Sequence, residues 1–365
     1  MAIPLFDTET PLAPLRPRIV ERVAEVIGAG RYVLGPEVAA FEAEFAAYLG
    51  VAHVVGVANG TDALAIALRA LGVRAGDDVI VPALTFYATS EAVAAIGARP
   101  VFCDVDPDTR NVTVPTVRAA LTPATTAIVA VDLFGVPAPC AELRSELGLP
   151  VLEDAAQAAG SRAGERMAGS LGDAATFSFY PSKNLPCFGD GGVVATDDAE
   201  VAALARALRF HGSRDKETFE YVGYNSRLDE IQAAILRVLL PELDGWADGR
   251  RAAGRAYLEA GIAEYASVAV PPAGTDPAWH LFVVTHPRAD EALAALAAAG
   301  IQARGYYRTP LHRQPAMARF AEGSPVGPAE LPVTDQLAAT NIALPISPVL
   351  GAEQAAEVVA ALAGA

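Results

Sequence analysis

Short apolar segments alternate with amphipathic segments along residues 50–200 of the 365-residue chain. The apolar segments are rich in β-branched residues or nearly free of polar ones, which is typical of strands covered on both faces. The pattern predicts strands at 53–58, 79–83, 100–105, 127–132, 150–154, 174–179 and 192–196, with helices at 62–71, 90–95, 114–121 and 142–147. We therefore expect an α/β fold of three layers, with helices on both faces of a mostly parallel, seven-stranded sheet.

The sequence after residue 240 has a different pattern. A strong helical stretch runs from Leu228 to about Tyr257, with interruptions expected near Pro241 and Gly245. It is followed by a strand candidate at 279–285, an alanine-rich helix at 290–299, a proline-rich loop at 309–332 and a final helix at 351–362. We predict a large domain of residues 1–240 and a smaller α+β domain of residues 241–365, packed closely because no low-complexity linker separates them.

Composition narrows the class of protein. With 52% hydrophobic and 19% charged residues, the chain is expected to form a packed core. No apolar run reaches the ~18 residues of a membrane span, and the N-terminus lacks the pattern of an export signal, so a cytoplasmic location is expected. The three cysteines have no CxxC spacing, which argues against a disulfide framework or a metal site. A net charge of −16 argues against nucleic-acid binding but permits a small anionic ligand at a helix N-terminus.

Polar residues follow the predicted strands, where α/β folds bind their ligands. After the first strand, Gly60 permits close approach of a ligand and Thr61 offers a hydroxyl, at a helix start whose free N–H groups attract anions. An ordinary helix cap explains the same residues and, for this segment alone, is the better explanation.

Asp154 and Lys183 are the strongest candidates for chemistry. Asp154 ends a buried strand, where its carboxylate needs a partner such as a protonated pyridine nitrogen, although a helix-capping role is equally compatible. Lys183 follows another buried strand among apolar and small residues, where desolvation can make an amine nucleophilic. A solvated loop lysine is the alternative. Ser178, five residues earlier, can reach the same pocket.

A fourth segment, residues 223–232, opens the long helix. Ser226 is expected to be the N-cap, with Asp229 in the first turn. Asn225 and Arg227 can face a ligand in addition.

As a set, these segments resemble the sugar-nucleotide aminotransferases of the DegT/StrS family, which belong to the fold-type I pyridoxal 5′-phosphate (PLP) enzymes. The resemblance covers about residues 3–350. It rests on NGTDAL at 59–64, LEDAAQAAG at 152–160, FSFYPSKNL at 177–185 with GDGG at 189–192, and GYNSRLDEIQAAIL at 223–236. It implies PLP as the cofactor and a homodimer with shared active sites.

The resemblance also implies a role for each matching position. Lys183 matches the lysine that binds PLP as a Schiff base, and Asp154 matches the carboxylate that pairs with the pyridinium nitrogen. The other cofactor positions are Gln157 near the phenolic oxygen, Phe86 on the ring, Gly60, Thr61 and Ser178 at the phosphate, and Asn225, which reaches the phosphate from the partner subunit.

The substrate positions implied by the resemblance are Tyr180, Arg227 and His312. Residues 306–312 are similar to the family's sugar-nucleotide contact loop, although a surface-loop role is as compatible with Arg308 and the adjacent Arg313. Tyr180 stands where relatives often carry histidine, which leaves its role in substrate orientation open. Lysine at 183, where dehydrating relatives carry histidine, favours amino transfer, and residues 225–230 look more like enzymes that aminate C3 than C4. The predicted activity is amino transfer, with glutamate as donor, to a nucleotide-linked keto sugar.

Other functions stay compatible with the fold. They include a PLP enzyme with another outcome, such as a dehydratase, lyase or desulfurase, and a non-catalytic regulator. A desulfurase requires a reactive cysteine, but the apolar neighbours of Cys187 indicate an inert, packed thiol. A nicotinamide oxidoreductase is disfavoured because the glycine fingerprint after the first strand is missing.

Overall fold

All seven strands predicted between residues 53 and 196 form, each within two residues of its predicted bounds, and they lie in one sheet. The computed structural model describes residues 2–322 and 331–364. The strands are β1 (His53–Val57), β2 (Asp78–Pro82), β3 (Arg99–Cys103), β4 (Thr125–Val131), β5 (Val151–Asp154), β6 (Arg162–Ala163), β7 (Arg166–Met167), β8 (Ala174–Ser178), β9 (Gly192–Thr196), β10 (Ser267–Val268), β11 (Thr275–Asp276), β12 (Phe282–Thr285) and β13 (Asn341–Leu344).

The order of strands in the large sheet is β1-β9-β8-β5-β4-β2-β3. Only β9 runs against its neighbours, whereas β8, β5, β4, β2 and β3 pair in parallel. Six strands therefore share one direction, and the segments that follow β1, β2, β4, β5 and β8 emerge at the same edge. This common edge brings residues from distant parts of the chain together.

The α-helices are α1 (Arg16–Ala29), α2 (Pro36–Leu49), α3 (Gly60–Ala70), α4 (Ala88–Ala95), α5 (Val114–Ala120), α6 (Cys140–Leu147), α7 (Ala199–Leu208), α8 (Glu230–Leu239), α9 (Leu243–Glu259), α10 (Ala289–Ala298), α11 (Ala318–Ala321), α12 (Pro332–Thr340) and α13 (Ala352–Ala363). Alternate residues of one strand enter different hydrophobic cores. Val129 joins the core under α3, α4 and α7, whereas Ile128 on the opposite face packs with residues of α5 and α6. Both faces of the sheet are thus covered, which confirms the predicted three layers.

The helix expected from Leu228 onward differs from the prediction. It is divided by a 3₁₀ turn, Leu240–Glu242, which contains Pro241, but it continues through Gly245 without a break. Ser226 is not its N-cap, because α8 begins only at Glu230. The Ser226 hydroxyl instead accepts a hydrogen bond from Ala58 N at 3.0 Å and so joins this segment to the end of β1.

Glu230 links the same region to α2. Its buried carboxylate accepts hydrogen bonds from the backbone N–H groups of Gly35 (2.7 Å), Glu37 (2.9 Å) and Val38 (3.0 Å). These are donors that the start of a helix leaves without intrahelical partners. A side chain almost two hundred residues away in sequence therefore caps α2.

The C-terminal part has its own core, which includes residues of α9, α10, α13, β12 and β13. Strands β10, β12 and β13 form an antiparallel sheet, and β11, β6 and β7 form another. Ile3 belongs to this core and pairs with Ile301, so the chain start crosses the predicted domain boundary. The boundary at residue 240 stays a prediction. Of the proline-rich loop expected at 309–332, residues 323–330 lie outside the described residues, while α11 forms within the rest.

Among residues 2–322 and 331–364, no helix combines the length and apolar character needed to cross a membrane.

Candidate active site

Lys183 lies in the loop between β8 and β9, at the common edge of the sheet. Hydrogen bonds from Lys183 N to Tyr180 O (2.8 Å) and from Cys187 N to Phe179 O (2.7 Å) hold the loop. The side chain is half-buried, and burial lowers the pKa of the Lys183 amine to about 8, against the opposing effect of Asp154. About one tenth of the amine is therefore neutral, and hence nucleophilic, at pH 7.

Asp154 ends β5 and is almost fully buried. Its Oδ2 accepts a hydrogen bond from Thr89 Oγ1 at 3.0 Å, and its Oδ1 accepts one from Ala156 N at 3.3 Å. Burial raises the pKa of Asp154, while these hydrogen bonds and the charge of Lys183 lower it. A second cation beside the carboxylate, such as a protonated ring nitrogen, would stabilise its charged form further.

Gln157 connects two segments at this edge. Its Oε1 accepts a hydrogen bond from Phe134 N at 2.7 Å, which leaves its Nε2 to donate to the Tyr307 hydroxyl at 3.1 Å. The ring of Phe86, which is 54% exposed, lies 5.9 Å from that of Tyr307. Phe86 and Gln157 thus lie near one another, joined by Tyr307, which lies in the predicted contact loop of residues 306–312 but was not among the predicted cofactor residues.

The start of α3 supplies a candidate anion site. Asn59 caps the helix by accepting a hydrogen bond from Asp62 N at 2.8 Å. The N–H groups of Gly60 and Thr61 make no hydrogen bond to the part of the chain that the structure describes. Ser178 lies beside them, since a Cβ on Gly60 would be only 2.7 Å from Ser178 Cβ. The cap and the anion site predicted from the sequence are therefore compatible, because different residues form them.

The predicted substrate contacts differ in position. Tyr180 is 55% exposed beside Lys183, Arg227 is half-buried next to Ser226, and the side chain of Asn225 is exposed. An exposed Asn225 is compatible with a contact to a partner copy, which stays a prediction, as do the roles of Tyr180 and Arg227.

Unlike Tyr180, Arg227 and Asn225, His312 is not on the accessible surface. Its side chain is only 1% exposed, its Nε2 lies 3.3 Å from Asp335 Oδ1, and its ring lies 6.5 Å from that of Phe102. Burial lowers the pKa of the imidazole. The structure thus places His312 in a packed environment rather than in an open contact loop, and its role as a substrate contact stays a prediction.

Four further residues belong to this region but were not named among the predicted site residues. Thr89 is three residues after Phe86 and could have been found, because it falls in the first turn of the helix that follows β2. Tyr307 lies in the loop of residues 306–312 that the sequence had indicated, whereas His280 and Arg250 come from distant segments and carry no local signal. Burial, followed by the charges of Lys183 and Arg250, holds the pKa of His280 well below its usual range.

The thiol of Cys187, four residues after Lys183, packs in a hydrophobic core, and burial raises its pKa to about 12. This agrees with the predicted inert thiol.

A partly neutral lysine amine beside a buried carboxylate, with an anion site at a neighbouring helix start, defines a fold-type I pyridoxal 5′-phosphate enzyme. The chain belongs to the DegT/DnrJ/EryC1/StrS aminotransferase family, whose sequence model matches residues 14–363. It is an aminotransferase, and its cofactor is pyridoxal 5′-phosphate.

Individual relatives match the chain over nearly its whole length. A dTDP-3-amino-3,4,6-trideoxy-alpha-D-glucose transaminase of Streptomyces venezuelae is 45% identical, and the match covers 99% of this chain and 95% of that protein. A UDP-N-acetyl-3-dehydro-alpha-D-glucosamine 3-aminotransferase of Acidithiobacillus ferrooxidans is 43% identical over 98% of this chain and 96% of that protein. The crystal structure of S. venezuelae DesV in complex with a ketimine intermediate superposes with a TM-score of 0.93 at 44% identity, covering 99% of this chain and 97% of that one.

Proposed function

We propose that the chain transfers an amino group from glutamate to C3 of a nucleotide-linked keto sugar. The observation that carries amino transfer is the position of the Lys183 amine near buried Asp154 at the sheet edge, where the charge of each shifts the pKa of the other. The position of transfer is supported by the two relatives, both of which are named for an amino group at C3 of a nucleotide-linked sugar. Their nucleotides differ, so the nucleotide of this substrate is left open.

The residues present fit the cofactor. The free N–H groups of Gly60 and Thr61, with the Ser178 hydroxyl, suit its phosphate, Asp154 suits its ring nitrogen, and Lys183 would hold it covalently through Nζ. When bound, PLP supplies an electron sink for the charge that develops at the donor's α-carbon.

Each side chain then has a defined task. The Asp154 carboxylate would hold a proton on the ring nitrogen, because a neighbouring positive charge stabilises the ionised form of a buried carboxylate. Lys183 Nζ, with a pKa of about 8, can accept a proton and return it near neutral pH, as a general base and acid must. Gln157 and Phe86 are proposed to hold the ring at its phenolic oxygen and its face.

The proposal includes a homodimer and a cytoplasmic location. Asn225 is exposed and closely follows three exposed apolar side chains in sequence, Phe219 (60%), Tyr221 (39%) and Val222 (87%). Apolar residues that lie together on a surface favour a protein interface. A partner copy seated there would bring Asn225 towards the second active site.

The chain offers a direct test of the cofactor attachment, because Lys183 and the exposed Lys216 are its only lysines. Borohydride reduction of the PLP-loaded protein should leave the label on Lys183. Lys216→Arg should be labelled as the parent protein is, whereas Lys183→Arg should not be labelled. Label on Lys216 alone would overturn the assignment.

The substrate is tested by mass analysis of the sugar product with nitrogen-labelled glutamate. dTDP- and UDP-linked 3-keto sugars are compared with their 4-keto isomers, and Lys183→Ala is the control. We expect label in a 3-amino sugar. Amination of only the 4-keto sugars would overturn the C3 assignment, loss of a hydroxyl without nitrogen gain would identify a dehydratase, and no turnover would favour a regulator.

A further inference from the structure

Asp132 and Glu153 form a pair of buried acids behind the proposed cofactor site. Asp132 directly follows β4 and Glu153 lies in β5, and both side chains are 0% exposed. Their carboxyl groups are hydrogen-bonded to one another. Because side chains alternate along a strand, Glu153 points to the face covered by α5 and α6, whereas Asp154 points to the opposite face. The acid pair and the cofactor site therefore use the same two strands from opposite sides of the sheet.

The two carboxyls have to share a proton, because two negative charges in contact and away from water would repel one another. The Glu153 carboxylate accepts three backbone hydrogen bonds, from the N–H groups of Gly169 (2.6 Å), Leu171 (2.7 Å) and Gly172 (3.2 Å). Asp132 accepts only from Ala138 N, through Oδ1 at 2.7 Å, and its Oδ2 accepts no hydrogen bond from the part of the chain that the structure describes. Asp154 of β5 and Cys140 of α6 also lie near Asp132, and neither brings a positive charge. The proton therefore belongs on Asp132 Oδ2, which donates it to Glu153.

This pair holds the turn that follows β4. Asp132 closes the turn by accepting from Ala138 N, and its own N–H donates to Asp154 O at 3.0 Å. Within the turn, Phe134 and Gly135 have φ values of +61° and +98°. A phenylalanine adopts such a conformation only where the surrounding structure holds it. In this conformation Phe134 N donates to Gln157 Oε1 at 2.7 Å.

The N–H of Phe134 decides the orientation of the Gln157 amide. With Oε1 occupied, Nε2 is the end left to donate, and it does so to the Tyr307 hydroxyl at 3.1 Å. We propose that Asp132 and Glu153 are positioning residues, whose shared proton fixes the turn so that Gln157 Nε2 donates towards the phenolic oxygen of the cofactor. This inference rests on the proposed function, of which the contact between Gln157 and that oxygen is a part.

The pKa of the bound cofactor, read from its visible absorbance against pH, reports this donor. A hydrogen bond to the phenolic oxygen stabilises the deprotonated, more negative form of the bound ring, so its loss should raise that pKa by about one unit. Asp132→Ala removes the carboxyl, and Gln157→Leu removes the donor itself. Asp132→Asn keeps an acceptor for the turn and a donor for Glu153 without a titratable proton.

Asp104→Ala is the matched control. Asp104 directly follows β3, as Asp132 follows β4, and its half-buried carboxylate accepts hydrogen bonds from Val333 N (3.0 Å) and Thr334 N (2.7 Å) at the start of α12. Its loss should therefore weaken the fold without acting on Gln157.

We expect Asp132→Ala and Gln157→Leu each to raise the pKa of the bound cofactor by about one unit, and Asp132→Asn and Asp104→Ala to keep the parental value. A shift in Gln157→Leu but not in Asp132→Ala would overturn the positioning role, as would a full shift in Asp132→Asn or in Asp104→Ala. No shift in Gln157→Leu would instead show that the proposed contact with the ring is wrong, and the inference would fall with it.

A second measurement needs no cofactor. Infrared spectra of the cofactor-free protein, prepared with isotope-labelled aspartate, should contain the band of a protonated aspartic acid at neutral pH that Asp132→Asn lacks. This band tests the shared proton in the parent protein even if Asp132→Ala does not fold, and its absence would overturn the proposal. Neither measurement uses a sugar, so a failure of the proposed sugar substrate would leave both results intact.

Discussion

The position of Gly60 between the helix start and the last residue of β8 makes a quantitative prediction about cofactor binding. A Cβ at residue 60 would lie 2.7 Å from Ser178 Cβ and 3.3 Å from Ser178 Cα. These atoms belong to a strand in the sheet and cannot swing away as the end of a flexible side chain does. Gly60→Ala therefore requires the start of α3 to move by about 1 Å, at a cost of about 1–3 kcal/mol, as overpacked core substitutions show.

The same movement displaces the N–H groups that we assign to the phosphate. We expect Gly60→Ala to weaken PLP binding by about tenfold or more, because hydrogen bonds are sensitive to shifts of this size. The assay is absorbance titration of the cofactor-free protein with PLP, alongside chemical unfolding without cofactor. The double variant Gly60→Ala/Ser178→Gly removes the contact with Ser178 Cβ, so it should be more stable to unfolding than Gly60→Ala alone. Its PLP binding should stay weak, because the serine hydroxyl is lost.

Gly245→Ala is the matched control, because nothing lies within 4 Å of a Cβ there. Gly245 lies in the first turn of α9, so this change should increase the free energy of unfolding by up to about 0.5–1 kcal/mol and leave PLP affinity unchanged. Gly60→Ala with parental PLP affinity and stability would refute the assignment of the helix start as the phosphate site.

Three other perturbations follow from the structure. Burial and the neighbouring charge of Glu153 raise the pKa of Asp132 well above its usual range, so folding takes up a proton and stability falls as pH rises above about 4. Asp132→Asn should reduce the slope of the unfolding free energy against pH by up to about 1.4 kcal/mol per pH unit, measured by chemical unfolding at several pH values. Parallel curves for the variant and the parent protein would contradict this. Thr89→Val removes the hydroxyl that donates to Asp154, so the pKa of Asp154 should rise and the turnover rate should fall. A turnover rate and a pH profile identical to those of the parent protein would contradict this. Glu230→Gln removes a carboxylate that three N–H groups share, and should cost about 1–3 kcal/mol on unfolding; no loss would show that water can replace this cap.

The sequence alone determined the large sheet and the residues at its edge. Continuous apolar segments report burial on both faces of a strand, and this property is local enough to place all seven strands. Because Gly60, Asp154 and Lys183 lie at the carboxyl ends of β1, β5 and β8 or within five residues of them, the shared strand direction was enough to bring them to one edge. Helix α2 was not predicted, although Val38, Phe41, Phe45 and Leu49 are buried at helical spacing. Its exposed positions include Ala39, Ala43 and Ala47, so charged residues do not mark the opposite face.

Only the tertiary structure decided which distant groups meet. Glu230, rather than a local residue, caps α2, and Ser226 serves β1 rather than its own helix. His312 is buried because Asp335 and Phe102 pack on it, although its sequence context predicted an accessible loop. Arg250 comes beside Lys183 through the packing of α9 against the loop after β8. A sequence pattern records how each residue is solvated along its own segment, whereas partners far apart in the chain are selected by shape and charge only once the layers have packed.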